Sequence, residues 1–109
     1  MRHPGDLIIK DPQAVEPEGF NWTAWLAELS TFLSTPETIV TSTWAVTAPA
    51  GDATPITLSG AAITGAGLLT QVTLSGGTLG RKYTITNHIG TSNGLTFDDR
   101  SFKVLVASK

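Results

Sequence analysis

The chain has no cysteine among its 109 residues, so it can form neither a disulfide framework nor a thiolate metal site, and the small cysteine-dense secreted class is excluded. The fold must stand on packing, which one domain of this length can do. Charge is also scarce: Asp, Glu, Lys and Arg make up 15% of the residues, against about a quarter in an ordinary soluble domain. Low charge suits a protein held inside an assembly, although threonine-rich β-strands give the same composition. The basic residues Arg2, Lys10, Arg81, Lys82, Arg100, Lys103 and Lys109 are scattered, which leaves no basic patch for nucleic acid. No apolar run is long enough for a bilayer span, and Met1 to Asp6 lack the apolar character of a signal peptide. Synthesis in the cytoplasm, with neither nucleic acid nor membrane as partner, is therefore expected.

What is present is alternation. From Gly76 to Lys109 a glycine-bounded entry leads into Tyr83, Ile85 and Ile89 on one face and Lys82, Thr84, Thr86 and His88 on the other. Asn93-Gly94 then supplies the positive φ of a tight hairpin turn, and Phe102, Val104 and Val106 return at period two. Leu95 and Phe97 have the opposite parity to Phe102, so either a bulge lies within Asp98 to Ser101 or these two side chains face out as a subunit contact. The bulge is the simpler expectation. Tyr83, near the start of its strand, has the placing of a tyrosine corner.

Upstream, Leu7 to Lys10 reads as a short edge strand stopped by Asp11-Pro12, and the stretch to Gly19 as a surface connection. Trp22, Trp25, Leu26, Leu29, Phe32 and Leu33 have the spacing of one face of a short helix near residues 22–33, with Asn21 as N-cap and Ser34-Thr35-Pro36 as its end, the competing reading being a strand from Phe20 to Leu26 followed by a loop. Thr38 to Val46 should be a central strand with Val40, Trp44 and Val46 on one face and Trp44 as core anchor. Ile56 to Ile63, interrupted at Gly60, and Leu68 to Leu74, with Thr70, Val72 and Leu74 aligned, complete about seven short strands. The expected fold is an all-β antiparallel β-sandwich, with residues 1–19 as an N-terminal arm carrying an edge strand and 20–109 as the sandwich domain.

Chemistry is harder to find. His3 and His88 stand neither at metal-ligand spacing nor beside a nucleophile, and the acids of Asp98-Asp99-Arg100 alternate in direction, so that an Asp–Arg ion pair is the better reading. The glycine pairs precede no helix and lack the P-loop lysine. No catalytic, cofactor or metal site is expected. Of the tryptophans, Trp25 is the one expected at the surface.

The pieces Lys10 to Val15, Phe20 to Leu26, Thr38 to Trp44, Leu74 to Thr78, Tyr83 to Asn87 and Asp98 to Ser101, taken in order, resemble a family of small bacteriophage and prophage virion proteins of the fibre-tail adaptor type. The residues Leu29 to Pro36 are extra to the family pattern. The resemblance implies an immunoglobulin-like sandwich in a tailed-phage particle, made in the bacterial host cytoplasm, with other virion structural proteins as partners and no catalytic residue. Self-association as a homo-oligomer, or bridging of two other particle proteins in the tail or neck, is expected through the β-edges, the hairpin tip and the N-terminal arm, with Leu7, Ile8, Ile9, Trp25, Asn93, Leu95 and Phe97 as contact residues. A capsid decoration protein and a glycan-binding module using Trp25 stand as alternatives.

Overall fold

Alternation builds seven strands, and the one stretch of 3.6-residue period builds a helix: β1 (Leu7–Lys10), β2 (Val15–Asn21), α1 (Thr23–Leu33), β3 (Ile39–Thr47), β4 (Ile56–Thr64), β5 (Leu69–Gly76), β6 (Lys82–Thr91) and β7 (Phe97–Val106). The computed structural model describes residues 1–108; Lys109, the end of the expected domain, lies outside the described residues. One sheet has the order β1-β7-β6-β3 and the other β2-β5-β4. All pairs are antiparallel except β1, which lies parallel to β7. This is an all-β sandwich whose β2-β5-β4 and β7-β6-β3 blocks follow the B-E-D and G-F-C order of immunoglobulin-like domains.

The inward positions are those the period demands. Thr70, Val72 and Leu74 of β5, Tyr83, Ile85 and Ile89 of β6, and Phe102, Val104 and Val106 of β7 are all buried. Phe20 sits among the rings: Trp44 stacks on it at 5.9 Å, while Trp22 at 6.2 Å and Phe102 at 5.7 Å meet it edge-on. Asn87, also inward on β6, joins a buried polar network. Its Oδ1 accepts from the Thr70 hydroxyl (2.6 Å) and the Trp22 indole (3.2 Å), and its Nδ2 donates to Ser42 Oγ (2.9 Å) and Thr43 O (3.0 Å). Both layers and the helix entry meet in these bonds.

Several expectations are corrected. Residues Asp11 to Gly19 are more than a connection, because β2 begins at Val15; Pro17 is tolerated since β2 is an edge strand. The N-terminal segment runs through both layers. Arg2 N–H donates to Gly19 O beside β2, the chain turns at Pro4-Gly5, and β1 then joins β7. β3 is an edge strand and not a central one. A register shift between Ile39 and Thr41 turns Ile39 inward and leaves Val40 exposed, while Trp44 is only partly buried. Asn21 serves the helix start through its Oδ1, which accepts from Thr23 N–H at 3.0 Å, although Trp22 occupies the cap position. Ser34, in the left-handed region, ends the helix where expected.

The hairpin stands where Asn93-Gly94 placed it, but its loop is wider than a two-residue turn. Thr91 N–H bonds to Thr96 O, and only Gly94 takes positive φ. Pairing then runs without a shift from Gly90 with Phe97 to Lys82 with Leu105, so no bulge lies in Asp98 to Ser101. Parity therefore turns Leu95 and Phe97 outward.

The tyrosine corner is present. Tyr83 OH accepts from Thr78 N–H at 2.9 Å and donates to the Asp52 carboxylate, which also accepts from the Thr78 hydroxyl at 2.6 Å. A Tyr83→Phe chain should lose about 1–2 kcal/mol of unfolding free energy through the orphaned Thr78 donor, read as a lower urea midpoint. The Thr78 hydroxyl first, then the Tyr83 phenol, the Thr54 amide and Arg81, hold the Asp52 carboxyl below its ordinary 3.8 against an opposing desolvation. Because the folded value is depressed, the contribution is complete above 3.8 and is lost as pH falls through the lower folded value. The gap in melting temperature between the natural chain and Asp52→Asn should therefore close on going from about pH 5 to about pH 2; a constant gap would show that the carboxylate contributes nothing as a charge.

Candidate functional site

Three sequence-expected contact residues meet at the tip of the β6–β7 hairpin. Asn93 shapes the loop: its Oδ1 accepts from Leu95 N–H (2.8 Å), Thr96 N–H (3.0 Å) and the Thr91 hydroxyl (3.1 Å). Such a side-chain acceptor replaces the backbone partners that a short loop cannot supply. Glu37, buried at the exit of the helix, accepts from Asn93 N–H at 3.0 Å and shares the single Thr91 hydroxyl proton, also at 3.0 Å, with Asn93 Oδ1. Its own N–H donates to Ser30 Oγ at 2.9 Å. The helix end and the hairpin tip are thereby tied together, and a groove of about 550 Å³ lies between them, lined by Leu33, Pro36 and Leu95.

On this fixed loop Leu95 is 85% exposed and Phe97 58% exposed. Phe97 is held from beneath. Its ring lies where a Cβ on Gly90 would come within 3.0–3.1 Å of it, and it stacks on the His88 imidazole at 5.9 Å and 6°. Glycine opposite an aromatic lets the ring cover bare backbone. His88 in turn bonds to Asp99 through Nδ1 on the open sheet surface, where both side chains are at least half exposed. The acid expected to pair with arginine thus pairs with histidine. Arg100 instead lies 4.0 Å over the Trp22 ring and donates to Asn21 O at 3.1 Å. Burial lowers its pKa, and Asp98 opposes that shift.

Phe32, 85% exposed, and Leu33 extend the apolar surface at the end of the helix. Periodicity had placed them on its core face, but only Leu26 of α1 is fully buried, because the helix runs past the sandwich. Trp25 is partly buried and packs edge-on against Trp22 at 5.5 Å.

Leu7, Ile8 and Ile9 do not join this tip. Register sets Leu7 beside Lys103 and Ile9 beside Leu105, about 20–27 Å along β7 from Phe97. Leu7 and Ile9 are about half exposed, whereas Ile8 points into the core. At the end of β1, Lys10 is buried with its Nζ donating to Gly76 O (2.7 Å) and Asp11 O (3.0 Å), and burial lowers its pKa. Among the described residues no cluster of His, Cys, Asp or Glu could hold a metal ion, and no helix is long and apolar enough to cross a membrane.

Against known families, the model described as podophage GP4 fiber-tail adaptor protein gp77 matches residues 10–105. The chain belongs to this family. Searches of curated proteins and of solved structures gave no match. Membership of the fibre-tail adaptor family places the chain among bacteriophage structural proteins, components of the virion. The match takes in the whole hairpin and its tip, while Leu7 to Ile9 lie before its start.

Proposed function

We propose that the chain is a non-enzymatic joint of the virion, bound on one side to a tail or neck component and on the other to a fibre-side component, with several copies arranged as a homo-oligomer. The observation that carries this reading is the hairpin tip, where Leu95 and Phe97 are exposed on a loop whose backbone is held by Asn93 and Glu37 and whose Phe97 ring packs over Gly90. A pre-ordered loop with a packed Phe97 ring loses little freedom on binding, so it suits a docking anchor. The shape supports two-sided contact. The chain measures 47 × 24 × 22 Å with a radius of gyration of 15.0 Å, longer than the ~13 Å of a compact chain of this size. Leu7 and Ile9 on the edge strand β1 offer a second apolar patch and an open backbone edge to another subunit.

Particles assembled with Leu95→Asp should carry far fewer copies of the chain, because loss of an anchor worth about 2 kcal/mol weakens binding about 30-fold. Quantitative mass spectrometry of purified particles reads this. The isolated variant should keep its stability to within about 0.5 kcal/mol. Full incorporation of both Leu95→Asp and Phe97→Ser chains would sink the reading.

A further inference from the structure

The outward side of the three-stranded sheet carries no charged residue. Pairing arranges its outward positions in four rungs, from Val15–Ser75–Thr57 to Asn21–Leu69–Thr64, and all twelve are neutral. The outward side of the other sheet is different, with Lys82, His88, Asp99 and Lys103 along β6 and β7. The neutral block also belongs to a longer void. Between Glu37 and Arg81 the only charged residue is Asp52, and it is turned toward Tyr83 and Thr78 at the loop end. Depletion of charge is the compositional mark of surface that becomes the centre of an interface.

Much of the face is low: a Cβ at Gly19 would fall 2.1 Å from Thr70 O, so no side chain can stand there, and Ser59, Ala62 and Ser75 are small; Val15 and Met1 rise at its edge. Two such sheets can approach to the ~10 Å spacing of packed layers. We infer that this face pairs with the same face of a second copy about a two-fold axis. Charge selects the occupant. A neutral face meets itself without repulsion, whereas a charged partner surface would be stripped of water and find no counter-charge. Three strands ~4.8 Å apart and seven residues of ~3.3 Å present about 330 Å² per copy, about 660 Å² for the pair. That is below the ~1,200 Å² of a stable complex, so the pairing is weak in dilute solution and fills when copies are held side by side. It stands apart from the tail contact proposed above, because Leu7, Ile9 and Phe97 lie on the other layer and stay free.

Sedimentation velocity on the purified chain from about 10 μM to about 1 mM tests it. The weight-average mass should rise from 11.4 kDa toward twice that value. Thr73→Lys, at the middle of the face, should abolish the rise, and an equimolar mixture of Thr73→Lys with Thr73→Glu should restore it. Thr84→Lys, on the outward side of the other sheet, should leave it unchanged. If Thr73→Lys lowers the melting temperature, Ser59→Lys on the exposed edge strand takes its place. A mass that stays monomeric to about 1 mM, a rise that survives both lysine variants, or an equal loss in Thr84→Lys would each overturn the pairing.

Discussion

Phe20→Ala should lower the unfolding free energy by about 3–5 kcal/mol, the range for deleting a buried aromatic ring. The upper half of that range is expected, because Phe20 is fully buried and touches the rings of Trp22, Trp44 and Phe102. Those rings come from β2's own continuation, from edge strand β3 and from central strand β7, so one side chain fills the space between layers at a point where neither can collapse without moving the other. A domain of this size has about 5–15 kcal/mol in total, and the variant would be partly unfolded on mild warming. Urea unfolding measures the loss. A drop below about 1 kcal/mol would mean that the interior repacks, and that the aromatic cluster is not what joins the layers.

Asn87→Ala should cost about 3 kcal/mol, for a different reason. Removing the amide opens a hole in the core and leaves the fully buried Thr70 hydroxyl without its acceptor, at about 1–3 kcal/mol for a buried group left unpaired; Thr43 O and Ser42 Oγ, on the partly exposed edge strand, lose their donor as well. Trp22 Nε1 retains Thr70 Oγ1 at 3.1 Å. Since the four partners act as a set, Asn87→Ala combined with Thr70→Val should cost much less than the two separate losses added. Strict additivity in that cycle, measured by urea unfolding, would show that the bonds are independent.

Most strands were legible because burial on one side forces period two, but the start of β2 was not, since Pro17 and the acids around it read as a surface connection; the helix was legible in the change to period 3.6 at Trp22, although Phe32 and Leu33 on that stripe stay in solvent. The hairpin parity was legible as a conflict, yet its resolution was not. Assuming that all apolar side chains seek the core favours a bulge, whereas the actual register keeps the ladder intact and leaves Leu95 and Phe97 in solvent. Asn87 was visible only as a gap in the series Tyr83, Ile85, Ile89. Nothing in the sequence says that Thr70 and Trp22, 17 and 65 positions away, would meet it. The same distance in sequence hid Glu37, whose carboxylate secures a loop 56 residues later. Parity allowed the outward turn of Leu95 and Phe97 as one of two outcomes, while the inward turn of Ile8 follows from a parallel pairing that local pattern does not encode.

That parallel pairing also decides how the protein bears mechanical load. β1 follows the amino terminus and β7 precedes the carboxyl terminus, and they run in the same direction. Tension applied to the two termini pulls these strands lengthwise past each other. The bonds from Gly5 N–H to Ser101 O, Lys103 N–H to Asp6 O and Ala107 N–H to Lys10 O then share the force together instead of opening one after another like a zip.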